Sequence, residues 1–324
     1  MILLCGIPSE PPLALAIQAA RDADIPYVVL NQRDSRYFDA ALRLDGVQAT
    51  GSVWIQEKEW RLEDFSGVYT RMMDPQFLPE NTPCGRRPPD ALALRKSVSL
   101  AESLDDWMEI ARCRVVNRTS TTLSNASKPY QAQRIRAAGF RIPTTLVTNR
   151  AEEVLQFFHQ HRRIIFKSIS SVRSIVREFH LGMLKDMQKL AALPVQFQAY
   201  VPGVNIRVHV IAQTVIATKI DSEAVDYRYS AQDGLEVTME PFTLPQPIRD
   251  KCEALARHLN LVFCGIDLKR TPQGEYYCFE VNPAPAYSYF EQLSGQPIAK
   301  TLVEYLGGPV SRNREKAIHA SASD

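Results

Sequence analysis

One segment constrains this chain more than any other: Cys264-Gly265-Ile266-Asp267-Leu268-Lys269-Arg270, then Thr271-Pro272-Gln273-Gly274, then Glu275 to Val281 and Asn282. A proline and a glycine within four residues predict a turn, and the alternation of apolar and polar residues on both flanks predicts a hairpin. Placing Arg270 opposite Glu275 pairs Asp267 with Cys278 and Gly265 with Glu280. A period of two then puts Ile266, Leu268, Tyr277, Phe279 and Val281 on a core face, and Asp267, Glu280 and Asn282 together on the other. Two carboxylates and an amide oxygen make a hard-oxygen cluster suited to magnesium, which takes a few carboxylates and completes its shell with phosphate oxygens. Taken alone, the same pattern is a solvated polar face, so the rest of the chain must decide.

With 324 residues, 45% of them hydrophobic, the chain can bury a large core and suggests two or three domains. Met1 to Gly6 carries no basic start and too short an apolar run for a signal peptide, and no stretch approaches the ~18 apolar residues of a membrane span. A cytoplasmic protein without a membrane partner is expected. The formal charge is only +2 and basic residues cluster no further than pairs such as Arg86-Arg87 and Arg162-Arg163, which argues against nucleic acid as a partner. Cys5, Cys84, Cys113, Cys252, Cys264 and Cys278 are scattered without zinc or redox spacing and read as reduced thiols.

The opening residues read as a βαβ unit: Ile2 to Cys5 apolar, Pro11 to Ala23 at helical spacing, Tyr27 to Leu30 apolar again. Its turn, Gly6 to Pro12, lacks the glycines of a dinucleotide cradle, which disfavours a nicotinamide-dependent oxidoreductase. A loop-rich stretch, Pro75 to Pro89, precedes a helix from Asp90 to about Ile110, and an N-terminal α/β domain over residues 1–112 is predicted. Beyond it lie a short strand at Val115 to Asn117 and a helix opened by Ser127-Lys128-Pro129 and stopped at Gly139. Strands at Thr144 to Val147, Arg163 to Lys167 and Val204 to Ile211 alternate with helices at Ala151 to His159 and Leu184 to Ala192. A second domain over 113–310 is expected, with a central part, 113–195, a C-terminal part, 196–310, and a polar disordered tail over 311–324.

An Asp followed about a dozen residues later by Glu-x-Asn at a strand end, as in Asp267 and Glu280-Val281-Asn282-Pro283, resembles the metal-binding end of ATP-grasp ligases. Asn125-Ala126-Ser127-Lys128-Pro129 with Ala138 to Thr144 is similar to the family's first nucleotide lysine, its helix and the following strand. Ile164-Ile165-Phe166-Lys167 is similar to the second lysine, and Phe197-Gln198-Ala199-Tyr200-Val201 to the segment over which adenine sits. The resemblance implies a fold of the α/β and α+β kind: a βαβ pre-ATP-grasp domain, then a two-part ATP-grasp fold holding nucleotide between two mixed sheets. It also implies ATP and magnesium as cofactors, two ions with manganese as a substitute. Lys128 and Lys167 would meet the phosphates, Gln198, Ala199, Tyr200 and Val201 the base, and Asp267, Glu280 and Asn282 the metal. Phosphoryl transfer from ATP to a carboxylate brings anions together, so lysines and metal ions are what the chemistry requires.

Val201 to Val210, Asp226-Tyr227-Arg228, Asn282 to Glu291 and Val68-Tyr69-Thr70-Arg71 resemble RimK-type ligases, and among them the graspetide synthetases, which cross-link ribosomal peptides. By that resemblance Arg207 and Arg228 would contact phosphate or an acyl-phosphate, where a planar fork serves better than a point charge, and Asn205 would lie near the ribose. The bland alternative pairs both arginines with neighbours such as Asp221 or Asp226. Three positions depart from the family pattern: Ala199 replaces a glutamate, Asn205 an acidic residue, and Ser168 to Ser174 lacks the glycines of a phosphate lid. The expected activity is an ATP-dependent carboxylate–amine or carboxylate–hydroxyl ligase acting on a peptide carboxylate. Its alternatives are a small-molecule amino-acid ligase and a non-catalytic nucleotide- or peptide-binding protein, and a homodimer is compatible with all three. His209, a lone strand histidine, is expected to be structural.

Overall fold

The computed structural model describes residues 1–46, 49–82, 90–168, 176–186, 194–222, 234 and 236–308. The chain divides into two compact units, Met1–Ser120 with Pro297–Asp324, and Thr121–Gln296.

The first unit is built on a parallel sheet in the order β2-β1-β6-β7, from β1 (Ile2–Gly6), β2 (Tyr27–Asn31), β6 (Gly67–Thr70) and β7 (Arg114–Val116). Every residue of β1 is buried, as a central parallel strand covered on both faces requires. Helix α1 (Pro11–Asp22) makes the crossover from β1 to β2, beginning at a proline whose fixed φ and missing N–H suit the first turn. Strands β3 (Asp39–Leu44), β4 (Ala49–Ile55) and β5 (Lys58–Arg61) form a separate antiparallel meander. Helix α2 (Ala91–Ile110) starts where Asp90 accepts hydrogen bonds from the Leu92 and Ala93 amides at 3.0 and 3.1 Å. Its Leu100, Leu104, Trp107 and Met108, one face at helical spacing, join Leu3, Cys5, Val28, Leu30 and Val68 in the core.

The second unit holds two sheets. One is four-stranded in the order β10-β9-β11-β8, from β8 (Thr145–Thr148), β9 (Ile164–Ser168), β10 (Arg177–Glu178) and β11 (Val195–Ala199). Helix α4 (Ala151–His161) covers it, with Val154 and Phe157 packed against Ile164, Phe179 and Phe197. The other is an antiparallel five-stranded sheet in the order β14-β13-β12-β15-β16, from β12 (Val204–Ile211), β13 (Thr214–Ser222), β14 (Val237–Pro241), β15 (Phe263–Arg270) and β16 (Tyr276–Asn282). One face carries Ile206, Val208, Val210, Cys264, Ile266, Leu268, Cys278 and Val281 against α3 (Lys128–Ala137) and α5 (Gln246–His258). Period two therefore sends Asn205, Arg207, His209, Gly265, Asp267 and Lys269 to the opposite face. Helices α6 (Ser288–Ser294) and α7 (Ile298–Gly307) complete the chain, the latter packing in the first unit.

Most predicted elements form within a residue or two of their expected ends. Ser127 precedes α3 as expected but makes no side-chain cap, while Gly139 takes the left-handed conformation that ends it, at φ +83°. Of the helix expected over Leu184 to Ala192, residues 184–186 belong to a 3-10 turn over Leu181–Asp186, and residues 187–192 lie outside the described residues. Five of the six cysteines are described, and all five are free, buried thiols.

The hairpin forms with a different register from that predicted. The Thr271 amide donates to the Glu275 carbonyl at 2.9 Å, so Arg270 stands opposite Tyr276 rather than Glu275. A bulge follows: Leu268 pairs with Cys278 but Asp267 with Glu280, leaving Phe279 as the extra residue. Each irregularity shifts the pairing by one residue, and together they restore the side-chain phase. Glu280 and Asn282 consequently share the face of Asp267, as expected, although Glu280 faces Asp267 and not Gly265, which faces Asn282. Between turn and bulge the phase is inverted, so Cys278 is fully buried while Tyr277 and Phe279, assigned to the core from the sequence, are only half-buried.

Candidate active site

Glu280 is the focus of the site. Helix α3 lies along the edge strand β16, where the buried Gln131 carboxamide both donates to the Val281 carbonyl (2.8 Å) and accepts from the Val281 amide (3.0 Å). Lys128, three residues earlier on the same helical face, is thereby set over Glu280, to which its ammonium donates, and also donates to Asn125 Oδ1 at 2.8 Å. Burial pushes the Glu280 carboxyl up, but Lys128 first, then Lys167 and Arg207, outweigh it and hold the group below the ordinary carboxylate range. Three of the cations expected from the sequence thus act on one carboxylate, Lys128 by direct contact and Lys167, from β9 in the other sheet, through its charge.

Arg207 is buried, and its Nη1 donates to Asp267 Oδ1 at 2.7 Å. That partner is the opposed residue on β15. The guanidinium crosses β15 at Gly265, where a Cβ would stand 2.0 Å from Nη2 and 2.4 Å from Cζ; only glycine leaves that space. Its Nε lies 3.5 Å from Nε2 of the fully buried His209, and its Cζ lies 5.3 Å from the centre of the Phe290 ring. Burial, then the Arg207 charge, push His209 well below the usual histidine range, so its ring is neutral and Nε2 accepts. His209, expected to be structural, is fully buried and accepts from Arg207.

The segment Gln198 to Val201 ends β11 and leads into β12. Gln198 is buried and donates to Thr145 Oγ1 at 3.0 Å, and Val201 is buried. The Ala199 and Tyr200 amides donate to the Thr144 and Arg163 carbonyls at 2.9 and 3.0 Å, so both N–H groups are committed within the protein. The Arg163 guanidinium lies 3.5 Å from the centre of the Tyr200 ring and is held by both carboxylate oxygens of Glu178, at 2.8 and 2.7 Å. At Gly203, φ is +137° and a Cβ would meet the Arg270 carbonyl oxygen at 2.1 Å, so this crossing also requires glycine. Asn205 is half-buried on β12, opposite Lys269. Lys269 lies 5.3 Å from the Tyr200 ring centre and 6.0 Å from that of Phe279; burial, and then Arg163, push it below the usual lysine range.

Asp267, Glu280 and Asn282 stand together as expected, with Asp267 directly opposite Glu280. Among the described residues no three His, Cys, Asp or Glu side chains gather, so the donor set is two carboxylates and one carboxamide. That set fits magnesium, whose shell is filled by one or two carboxylates with water and phosphate oxygens. One oxygen of each carboxylate meets a cation, Arg207 or Lys128, and the Asn282 oxygen accepts from the Ala284 amide at 2.9 Å. Arg228, with Asp226 and Tyr227, lies outside the described residues, as do residues 169–174 of the expected phosphate lid.

Gly265, Gln131, Asn125, Phe290, Arg163, Lys269 and Phe279 were not marked as site residues by the sequence. Gly265 and Phe279 lie within the very hairpin that was recognised, yet only cross-strand register discloses their parts.

Two facing carboxylates, one paired with Lys128 and acted on by the charge of Lys167, the other paired with the buried Arg207, lie on an antiparallel sheet accompanied by a second sheet, the arrangement expected of an ATP-grasp site. The chain belongs to the RimK-like ATP-grasp domain family, whose model matches residues 133–306. A probable alpha-L-glutamate ligase 2 from Shewanella amazonensis is 30% identical over 113 residues, 35% of this chain and 36% of that protein. The match therefore spans about a third of that relative's length. Over nearly the whole chain the fold resembles that of a Chryseobacterium gregarium RiPP-associated ATP-grasp ligase solved with ADP and a leader and core peptide (TM-score 0.77, 22% identity, 97% of this chain and 98% of that one). It also resembles the ATP-grasp ligase PsnB with a minimal precursor (TM-score 0.76, 24% identity, 94% and 97%) and the macrocyclase MdnC with precursor peptide MdnA from Microcystis aeruginosa (TM-score 0.75, 20% identity, 94% and 99%). At these identities the likeness is one of fold. Among the described residues no helix is long and apolar enough to cross a membrane.

Proposed function

We propose that this protein joins a carboxylate to an amine or hydroxyl by way of an acyl-phosphate, releasing ADP and phosphate, and that the carboxylate belongs to a peptide. The observation that carries the reading is the convergence of Lys128, Lys167 and Arg207 on the opposed pair Asp267 and Glu280. A carboxylate oxygen of the substrate attacks the γ-phosphorus of ATP and ADP leaves; the amine or hydroxyl then attacks the acyl carbon, loses its proton, and phosphate departs. Lys128 and Lys167 screen the phosphate oxygens as the two anions approach, and Arg207, aimed by Asp267, His209 and Gly265, holds the acyl-phosphate in its planar fork. Arg228 is assigned the same anion-holding role. Asp267, Glu280 and Asn282 would hold one or two magnesium ions, or manganese, which when bound supply further neutralisation of phosphate charge. Nucleotide is assigned to the space between the two sheets of Thr121–Gln296, with its base at Gln198 to Val201 and its ribose at Asn205. In this reading residues 1–112 form the pre-ATP-grasp domain and 113–310 the ATP-grasp domain.

A peptide is favoured because relatives sharing this fold over nearly their full length were solved with precursor or leader and core peptides. The glutamate ligase relative favours a second reading, a small amino acid as substrate. Turnover with a substrate carboxylate labelled with oxygen-18 tests the mechanism: one labelled oxygen is expected in inorganic phosphate. Label in AMP, or pyrophosphate as product, overturns it. Absence of binding to magnesium-ATP at millimolar concentration by the folded protein removes the nucleotide reading altogether.

A further inference from the structure

Lys128 is an accounted-for cation, neutralised by Glu280 and hydrogen-bonded to Asn125. Lys269 is different. It projects from β15 on the site face, two residues from Asp267 and so about 7 Å along the strand. Its ammonium lies on the Tyr200 side of the strand. Two aromatic rings flank its ammonium, Tyr200 at 5.3 Å and Phe279 at 6.0 Å. Arg163 is engaged with the Tyr200 ring and with both oxygens of Glu178, which fixes the Tyr200 side of this wall. Among the described residues no carboxylate pairs with Lys269, although the side chain is half-buried. A partly desolvated ammonium carries three donors and no acceptor, and aromatic faces alone replace little of its hydration. The side chain directly opposite on β12 is Asn205.

We propose that Lys269 is a nucleotide-binding residue that donates to the ribose and base end of ATP, distinct from Lys128 and Lys167, which serve the phosphates. The proposal rests on the reading of this site as an ATP site. Its chemistry follows from the surroundings. Flat apolar walls at Tyr200 and Phe279 suit a purine and its sugar, whose ring nitrogens and hydroxyls are acceptors for an ammonium. Lys269 replaces at the sugar end part of the polarity that Ala199 and Asn205, lacking carboxylates, do not offer.

Calorimetric titration of the full chain with magnesium-ATP and magnesium-ADP, for the parent protein, Lys269→Met and Lys269→Arg, tests it. A contact at the sugar and base is common to both nucleotides. Lys269→Met is therefore expected to weaken ATP and ADP by the same factor, roughly 10- to 100-fold, the range for removing one charge-assisted hydrogen bond. Lys269→Arg is expected to recover part of that loss. Equal affinities in Lys269→Met and the parent overturn the proposal and make Lys269 a packing residue; a loss confined to ATP moves its contact to the γ-phosphate and overturns it as well. A parent protein that binds neither nucleotide rejects the functional reading itself, an outcome separate from these. Should Lys269→Met fail to fold, Lys269→Gln, which keeps a polar end, takes its place in the same comparison.

Discussion

Gly265 shows how much a single missing atom decides. The Arg207 guanidinium lies where a Cβ would have to be, so Gly265→Ala is expected to displace it from Asp267 and His209. Turnover should fall by about 100-fold or more, the scale of losing one preorganised donor, while magnesium-ADP affinity measured by calorimetry changes by no more than a few-fold. Glu280 is the other decisive residue. Glu280→Gln removes a proposed metal ligand and leaves Lys128 partly desolvated without its counter-charge, so ADP release should stop, and melting should register a cost of roughly 1–3 kcal/mol. The sign of the pH dependence follows from the direction of its shift. Because the folded carboxyl sits below the ordinary value of 4.5, Glu280 contributes stability that is complete above that value and is lost as pH falls through the folded pKa. Lys128→Met takes away the largest lowering influence, so the Glu280 titration followed by carbon-13 NMR should move upward; no movement would remove Lys128 from the site. The partnership of Lys128 with Glu280 is not legible from a residue's neighbours in the chain, since the two are 152 positions apart.

At the scale of elements, the hairpin and α3 carry the site together. Edge strand β16 has its Val281 amide and carbonyl satisfied by one glutamine of the helix, which closes an edge and also indexes the helix along it. Gln131→Leu is expected to cost roughly 1–3 kcal/mol in denaturant unfolding, since two buried backbone groups lose their partner, and to weaken magnesium-ATP binding because Lys128 is no longer indexed over Glu280. Unchanged nucleotide affinity in the folded variant would separate the anchor from the site. The hairpin explains why the metal face was readable although its register was not. A one-residue offset at Thr271 and Glu275 and a one-residue bulge at Phe279 cancel in side-chain phase, so Asp267, Glu280 and Asn282 share a face in either register. Only Tyr276, Tyr277, Cys278 and Phe279, between the turn and the bulge, exchanged sides. Bulges depend on packing with the neighbouring strand and helix, and no alternation within one strand encodes them.

Across the whole molecule, ligand linkage offers the broadest check. At 100 times its Kd, magnesium-ATP should stabilise whatever part binds it by about 2.7 kcal/mol, visible as a rise in Tm that Lys128→Met and Asp267→Asn diminish. Each of the two compact units has its own apolar cluster, and each was legible to a different degree. The opening βαβ, the α2 and α3 boundaries and strand β12 follow from apolar periodicity and from residues with fixed backbone preferences, Pro11, Asp90 and Gly139. The meander of β3, β4 and β5, and the strands β13 and β14, were not identified from the sequence. Their mixed exposure lacks a clean period of two, although most of their pairing is with the next strand along the chain. By itself, then, the sequence determined the element types, the family and the residues with chemistry to offer, because periodicity, turn chemistry and motif spacing are local. Which cation meets which carboxylate, why position 265 must be glycine, and where Lys269 stands were decided only by the tertiary structure, because strand register and the desolvation of charge arise when distant segments pack.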